Sequence, residues 1–186
     1  MAGQYLGPVL LNRAAMLPTT QYLPPALTAP APADYLDQIL EFLASIGLPV
    51  HETPFDQPGF LPGLLIDKGA LLLDRARLLY PGDVLHEAGH IAVTVAAERP
   101  LLGANVTENH PEKEGEELAV LLWTYAACRH LGIPPVVVFH PDGYKGSSEW
   151  LIENFTTGQY MGLPLLVWMG LTTTDGFPAM TRWLRA

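Results

Sequence analysis

An α+β fold is the expectation for this chain of 186 residues, and three observations lead to it. Apolar side chains recur at helical spacing, two short apolar runs flank a glycine turn, and the order runs helix, hairpin, helix, loop, helix, strand, short helices. With 49% apolar and 16% charged residues, the chain suits one domain of ordinary size.

Residues 1–33 come first and form a segment of their own. Arg13 is their only charged side chain, and Pro18, Pro24, Pro25, Pro30 and Pro32 crowd the second half. Proline fixes φ and lacks a donor, so a regular helix or central strand is forbidden there. Tyr5, Val9, Leu10, Leu11, Leu17 and Leu23 are too apolar for a solvated tail. The expectation is an extended arm packed on its own domain or on a second copy, a route to a homo-oligomer. The domain itself is then residues 34–186.

Within it, residues 34–46 set Tyr35, Leu36, Ile39, Leu40, Leu43 and Ile46 at helical spacing, closed by Gly47. Residues 49–62 hold four prolines and read as broken chain. Residues 64–66 and 70–73 flank Asp67-Lys-Gly69, a hairpin signal. Asp83 precedes a strongly apolar helix over 84–97, ending near Arg99 and Pro100. Residues 101–114 read as loop, 115–130 as a second long helix closed by Gly132, Pro134 and Pro135, and 136–139 as a short strand. A glycine-rich loop over 141–146 follows, then a helix over 148–155 capped by Ser147-Ser148-Glu149, and an apolar C-terminal part with Trp168 and Trp183.

Several functions are disfavoured before any motif is considered. The formal charge is −9 and no Lys/Arg cluster is present to neutralise phosphates, which argues against nucleic acid as a partner. Every apolar stretch is interrupted before the roughly 18 residues of a membrane span. The first residues lack the basic leader and apolar run of a secretory signal. One cysteine, Cys128, fits a reducing cytoplasm and reads as a small buried hydrophobe. His51, His110 and His130 are isolated, and His130 suits a helix C-terminus.

One short motif carries chemistry: His86-Glu87-Ala88-Gly89-His90. Two histidines four apart share a helical face, so both imidazoles can reach one metal ion while the glutamate addresses a water on it. The flanking Val84, Leu85, Ile91, Ala92 and Val93 bury the helix, and polar groups in such a setting need partners.

Here the sequence resembles the zincin metallopeptidases, over residues 63–97 and the next helix. The resemblance implies a small antiparallel hairpin packed on the H-E-x-x-H helix and a second, glutamate-bearing helix. Ala96 and Val93 stand where metzincins have histidine and glycine, so the similarity is to the gluzincins, and in particular to small cytoplasmic members with small residues such as Ala126 and Ala127 late in the glutamate helix. It implies one zinc ion held by His86, His90 and a glutamate among Glu114, Glu116 and Glu117. Glu117 is preferred because Leu121, Thr124 and Cys128 on its face are uncharged, while Val120, Trp123 and Ala127 leave Glu116 open. Glu87 would be the general base that activates a zinc-bound water for attack on a peptide or protein substrate.

Leu121 replaces the aspartate that orients a histidine in the thermolysin-like pattern. Asp67, Asp74 or Asp83 would have to serve instead. Tyr144 and His140, in the loop after the expected strand, are candidate donors to a tetrahedral intermediate. The missing aspartate also leaves open a catalytically silent metal-binding regulatory or interaction protein, and, less favoured, a structural subunit clamped by the arm.

Overall fold

The computed structural model describes residues 32–56, 61–103 and 115–186. Most of the expected Pro-rich arm therefore lies outside the described residues, as do Glu108, His110, Glu112 and Glu114. Among the described residues the chain is α+β, with five helices and a three-stranded mixed sheet: α1 (Pro32–Ser45), β1 (Val50–Glu52), β2 (Leu64–Asp67), β3 (Ala70–Leu73), α2 (Pro81–Val93), α3 (Glu117–Leu131), α4 (Ser148–Thr156) and α5 (Leu163–Trp168).

Tyr35, Leu36, Ile39, Phe42 and Leu43 bury one face of α1, as the spacing predicts. The helix ends at Gly47, whose φ of 77° turns the chain toward β1. In the hairpin Leu64 pairs with Leu73 and Asp67 with Ala70, and Lys68 and Gly69 both take positive φ, 50° and 78°, the geometry of a two-residue turn whose twist matches the strands. β1 corrects the reading of 49–62 as broken chain, and makes the sheet mixed rather than a lone antiparallel hairpin. It runs parallel to β3 with Val50 opposite Leu71, in the order β1-β3-β2. The three residues of β1, two of them exposed, carry no apolar alternation. Their pairing depends on β3, a partner distant in sequence.

α2 is shifted from its expected bounds. It starts at Pro81, a position where a missing donor costs nothing, after an N-cap residue, Tyr80, without a side-chain cap bond. Asp83 thus lies inside the first turn instead of ahead of the helix. The helix stops at Val93 because Thr94 is extended. Arg99 Nε donates to the carbonyls of Ile91 and Thr94, each at 3.2 Å, supplying donors and positive charge at the helix C-terminus.

α3 is the central helix: every residue from Ala119 to Cys128 is buried. The expected strand over 136–139 is instead a 3-10 turn, Pro135–Val137. Pro135 fixes the first φ, and the amides of Val138 and Phe139 return to the Pro135 carbonyl at 3.1 and 2.8 Å, so local bonds override the β preference of the valines. Val138 and Phe139 still enter the core. α4 lacks a cap bond from Ser147. Ser148 Oγ donates to the His140 carbonyl at 2.6 Å instead.

The C-terminal segment returns to the helix pair. Trp183 packs edge-on against Phe42 and Trp123, its carbonyl accepts from Trp123 Nε1 at 2.9 Å, and Arg185 N–H donates to the Ala92 carbonyl at 2.9 Å. No described helix is long and apolar enough to cross a membrane.

Candidate metal centre

His86 and His90 lie one turn apart on α2, and Glu117 is the first residue of α3. The two helices meet closely because Gly89 is between the histidines: a Cβ there would stand 2.9 Å from Val120 Cγ1 and 3.2 Å from Thr124 Oγ1. A side chain at this point would push α3, and Glu117 with it, away from the imidazoles.

One ligand atom from each of His86, His90 and Glu117 lies within 4.8 Å of the others. The Nε2 atoms of His86 and His90 stand 3.6 and 3.5 Å from the two Glu117 oxygens. A tetrahedral ion with bonds of about 2.0–2.1 Å separates its ligand atoms by about 3.3 Å. The two histidine-to-carboxylate separations lie within a few tenths of an ångström of that value, and the three ligand atoms are close enough together to hold one small divalent ion.

The chemistry of the donors agrees. Burial, reinforced by the neighbouring His90, pushes His86 down to about 3, so its imidazole is neutral. In the tautomer that places the proton on Nδ1, toward Tyr144 Oη 3.4 Å away, the Nε2 lone pair would face a carboxylate oxygen, and a cation between those two acceptors would relieve their repulsion. Burial raises Glu117 and the Lys145 charge opposes that rise. This cluster can hold a metal ion.

Of the two glutamates that periodicity leaves open, Glu117 is the one brought to the histidines. Glu116 Oε1 meets Arg185 at 3.5 Å. The same guanidinium donates to the Val93 carbonyl at 3.1 Å, so the C-terminal segment ties the end of α2 to the start of α3.

The centre opens into a cleft of about 660 Å³ that Glu87, Asp83, Tyr80, His140, Tyr144 and Lys145 help to line. Burial, with smaller contributions from Asp83 and Glu117, pushes Glu87 up to about 7, a value suited to taking and returning a proton at neutral pH. Tyr144 is raised well above the ordinary phenol range, chiefly by burial, and so keeps its proton. His140 is held from two sides: its Nε2 lies 3.0 Å from Asp83 Oδ1, and its ring stacks on Tyr80 at 3.8 Å between centroids. The Tyr80 hydroxyl in turn donates to Asp142.

The three aspartates considered as histidine partners serve elsewhere. Asp83 pairs with His140, Asp74 Oδ1 accepts from the Ala76 amide at 3.1 Å, and Asp67 is exposed at the hairpin turn. What faces His86 Nδ1 is a phenol. Cys128 is fully buried and its thiol is pushed up to about 12 by that burial, so it is an inert packing group. His51 is exposed in β1, and His130 packs beside Phe42 and Trp183.

Sequence reasoning missed Tyr80, Lys145, Gly89 and Arg185, and the cleft residues Leu61, Pro62 and Leu79. Gly89 left one usable signal, a helix-weakening residue amid strong helix formers. The chain matches no family model, no curated protein and no solved structure.

Proposed function

We propose that the chain is a zinc-dependent hydrolase acting on peptide bonds, with a zincin-like arrangement in which His86, His90 and Glu117 hold the ion. The observation that carries this reading is the convergence of two imidazoles and one carboxylate within 4.8 Å, one residue from a carboxyl whose affinity for a proton is matched to neutral pH. Two nitrogens and one oxygen suit zinc. When bound, the ion supplies a Lewis acid that polarises a carbonyl and acidifies water. Glu87 takes the proton of the attacking water and delivers it to the leaving amine nitrogen as the C–N bond breaks. Tyr144, protonated and at the same wall, donates toward the oxygen that gains charge. His140, the other candidate donor, has its Nε2 at Asp83 Oδ1 and its Nδ1 buried, so its role is to anchor the loop that carries Tyr144.

Replacement of Glu87 by Gln tests this. The variant should retain zinc and lose turnover of a peptide library cut by the wild type; unchanged turnover would remove Glu87 from the role of base. A second reading, a metal-binding regulatory or interaction protein, draws on the phenol at His86 Nδ1 in place of a carboxylate, which leaves the imidazole less basic. It expects zinc to be held and no peptide to be cut.

A further inference from the structure

Tyr144, Lys145 and Gly146 all have positive φ, 54°, 52° and 81°. Two successive residues with side chains in the left-handed region are unfavourable for L-amino acids and persist only where their surroundings enforce them. The surroundings here do so. The Asp83 and Ser148 bonds to His140, at 3.0 and 2.6 Å, fix the start of the loop, and a Cβ on Gly143 would stand 3.1 Å from the His140 ring. The turn brings the Tyr144 hydroxyl to His86 and sets Lys145 on the cleft wall.

Lys145 differs from everything around it. Asp83, Glu87, Glu117 and Asp142 make the described cleft acidic, and Lys145 is the one Lys or Arg among its described lining. Asp83 and Asp142 are engaged with His140 and Tyr80. Lys145 is exposed and, among the described residues, has no ion-pair partner, although its charge is felt at Glu117. An anion entering the cleft of a chain with formal charge −9 meets repulsion except at the metal centre and at this ammonium.

We propose that Lys145 is the substrate anchor of the cleft: it pairs with a carboxylate on the substrate while the scissile carbonyl lies at the His86, His90 and Glu117 centre. This rests on the hydrolase reading above. Leu61, Pro62 and Leu79, also on the lining, suit an apolar side chain beside that carboxylate. The carboxylate has two possible sources, a free chain terminus or an acidic side chain, and both would be read by the same ion pair.

The test uses the full-length zinc-loaded protein and three N-acetylated peptides of otherwise equal sequence: one with a free terminal carboxylate on leucine, its amide, and the amide with glutamate replacing that leucine. One carboxylate-bearing peptide should exceed the plain amide in kcat/KM by about tenfold or more, mainly through KM, as expected for a charge-assisted contact. Which of the two does so identifies the source. Lys145→Met should reduce the preference to about twofold or less with zinc content unchanged, and Lys145→Arg should keep most of it.

Equal kcat/KM for all three peptides in the wild type, or a preference that survives in Lys145→Met, would overturn the anchor. If zinc is bound and none is cut, succinic acid monohydroxamate and its amide replace them as binding probes. Tighter binding of the acid, lost in Lys145→Met, supports the anchor, and equal binding overturns it. A wild type without zinc removes the hydrolase reading and the anchor together.

Discussion

On one wall of the cleft His86 and Glu117 ride on two packed helices, whereas on the other Tyr144 and Lys145 stand on a strained turn that begins at His140. The helical wall is positioned by periodicity and by one close approach at Gly89. The loop wall is positioned by contacts between residues far apart in sequence, chiefly Asp83 with His140 and Tyr80 with His140. Helices transmit a local sequence pattern directly into geometry, and a pinned turn does not. The two walls should therefore respond differently to substitution.

The largest difference is expected between two glycines of α2. At Gly82 a Cβ would lie 2.1 Å from the backbone carbonyl oxygen of Val137, while at Gly89 the nearest atom is the Val120 side chain at 2.9 Å. Gly82→Ala must displace the 3-10 turn that leads into the loop wall, and should cost about 3 kcal/mol or more in denaturant unfolding. Gly89→Ala gains helix propensity against its clash and should cost only about 1 kcal/mol. Equal costs would show that both walls are anchored alike.

Metal affinity should link the walls more weakly. Tyr144→Phe removes the oxygen facing His86 Nδ1 and should weaken zinc binding by about tenfold in chelator competition, with little change in unfolding. Arg185→Gln, which releases Glu116 and the Val93 carbonyl, should weaken it by a smaller factor because Glu117 itself remains. No change in either variant would mean that His86, His90 and Glu117 alone set affinity.

The smallest effect concerns Glu87 in the metal-free protein. Its folded-state value of about 7 lies above the ordinary 4.5, so the folded chain binds that proton more tightly than the unfolded chain. Stability from this group is full below the unfolded value and is lost as pH rises through 7. Glu87→Gln should therefore raise Tm by a few degrees at pH 8 and leave it unchanged near pH 4. A difference independent of pH would show that burial is not what raises this carboxyl.

The same contrast explains what the amino-acid sequence made legible. Helices α1, α2 and α3 and the hairpin follow from spacing and from glycine and proline at their ends. The histidine pair follows because spacing on a helix is geometry, whereas spacing alone left Glu116 open beside Glu117. β1 escaped notice because its partner lies about twenty residues on and its own residues are mostly exposed. The valines at 136–138 misled because two prolines ahead of them impose a turn. The Asp83 to His140 pair spans 57 residues, a separation that no local pattern records. Arg185 gave no signal at all, being one of two arginines in a largely apolar tail.

The most direct measurement is the zinc content of full-length protein purified without chelator, taken beside His86→Ala, His90→Ala and Glu117→Gln. One ion per wild-type chain, with affinity lowered by more than about a hundredfold in each variant, is the expected result, since loss of a ligand should exceed the 10–100-fold of a supporting contact. A wild type without metal, or variants that bind it as tightly, would contradict the assignment of these three residues to a metal centre.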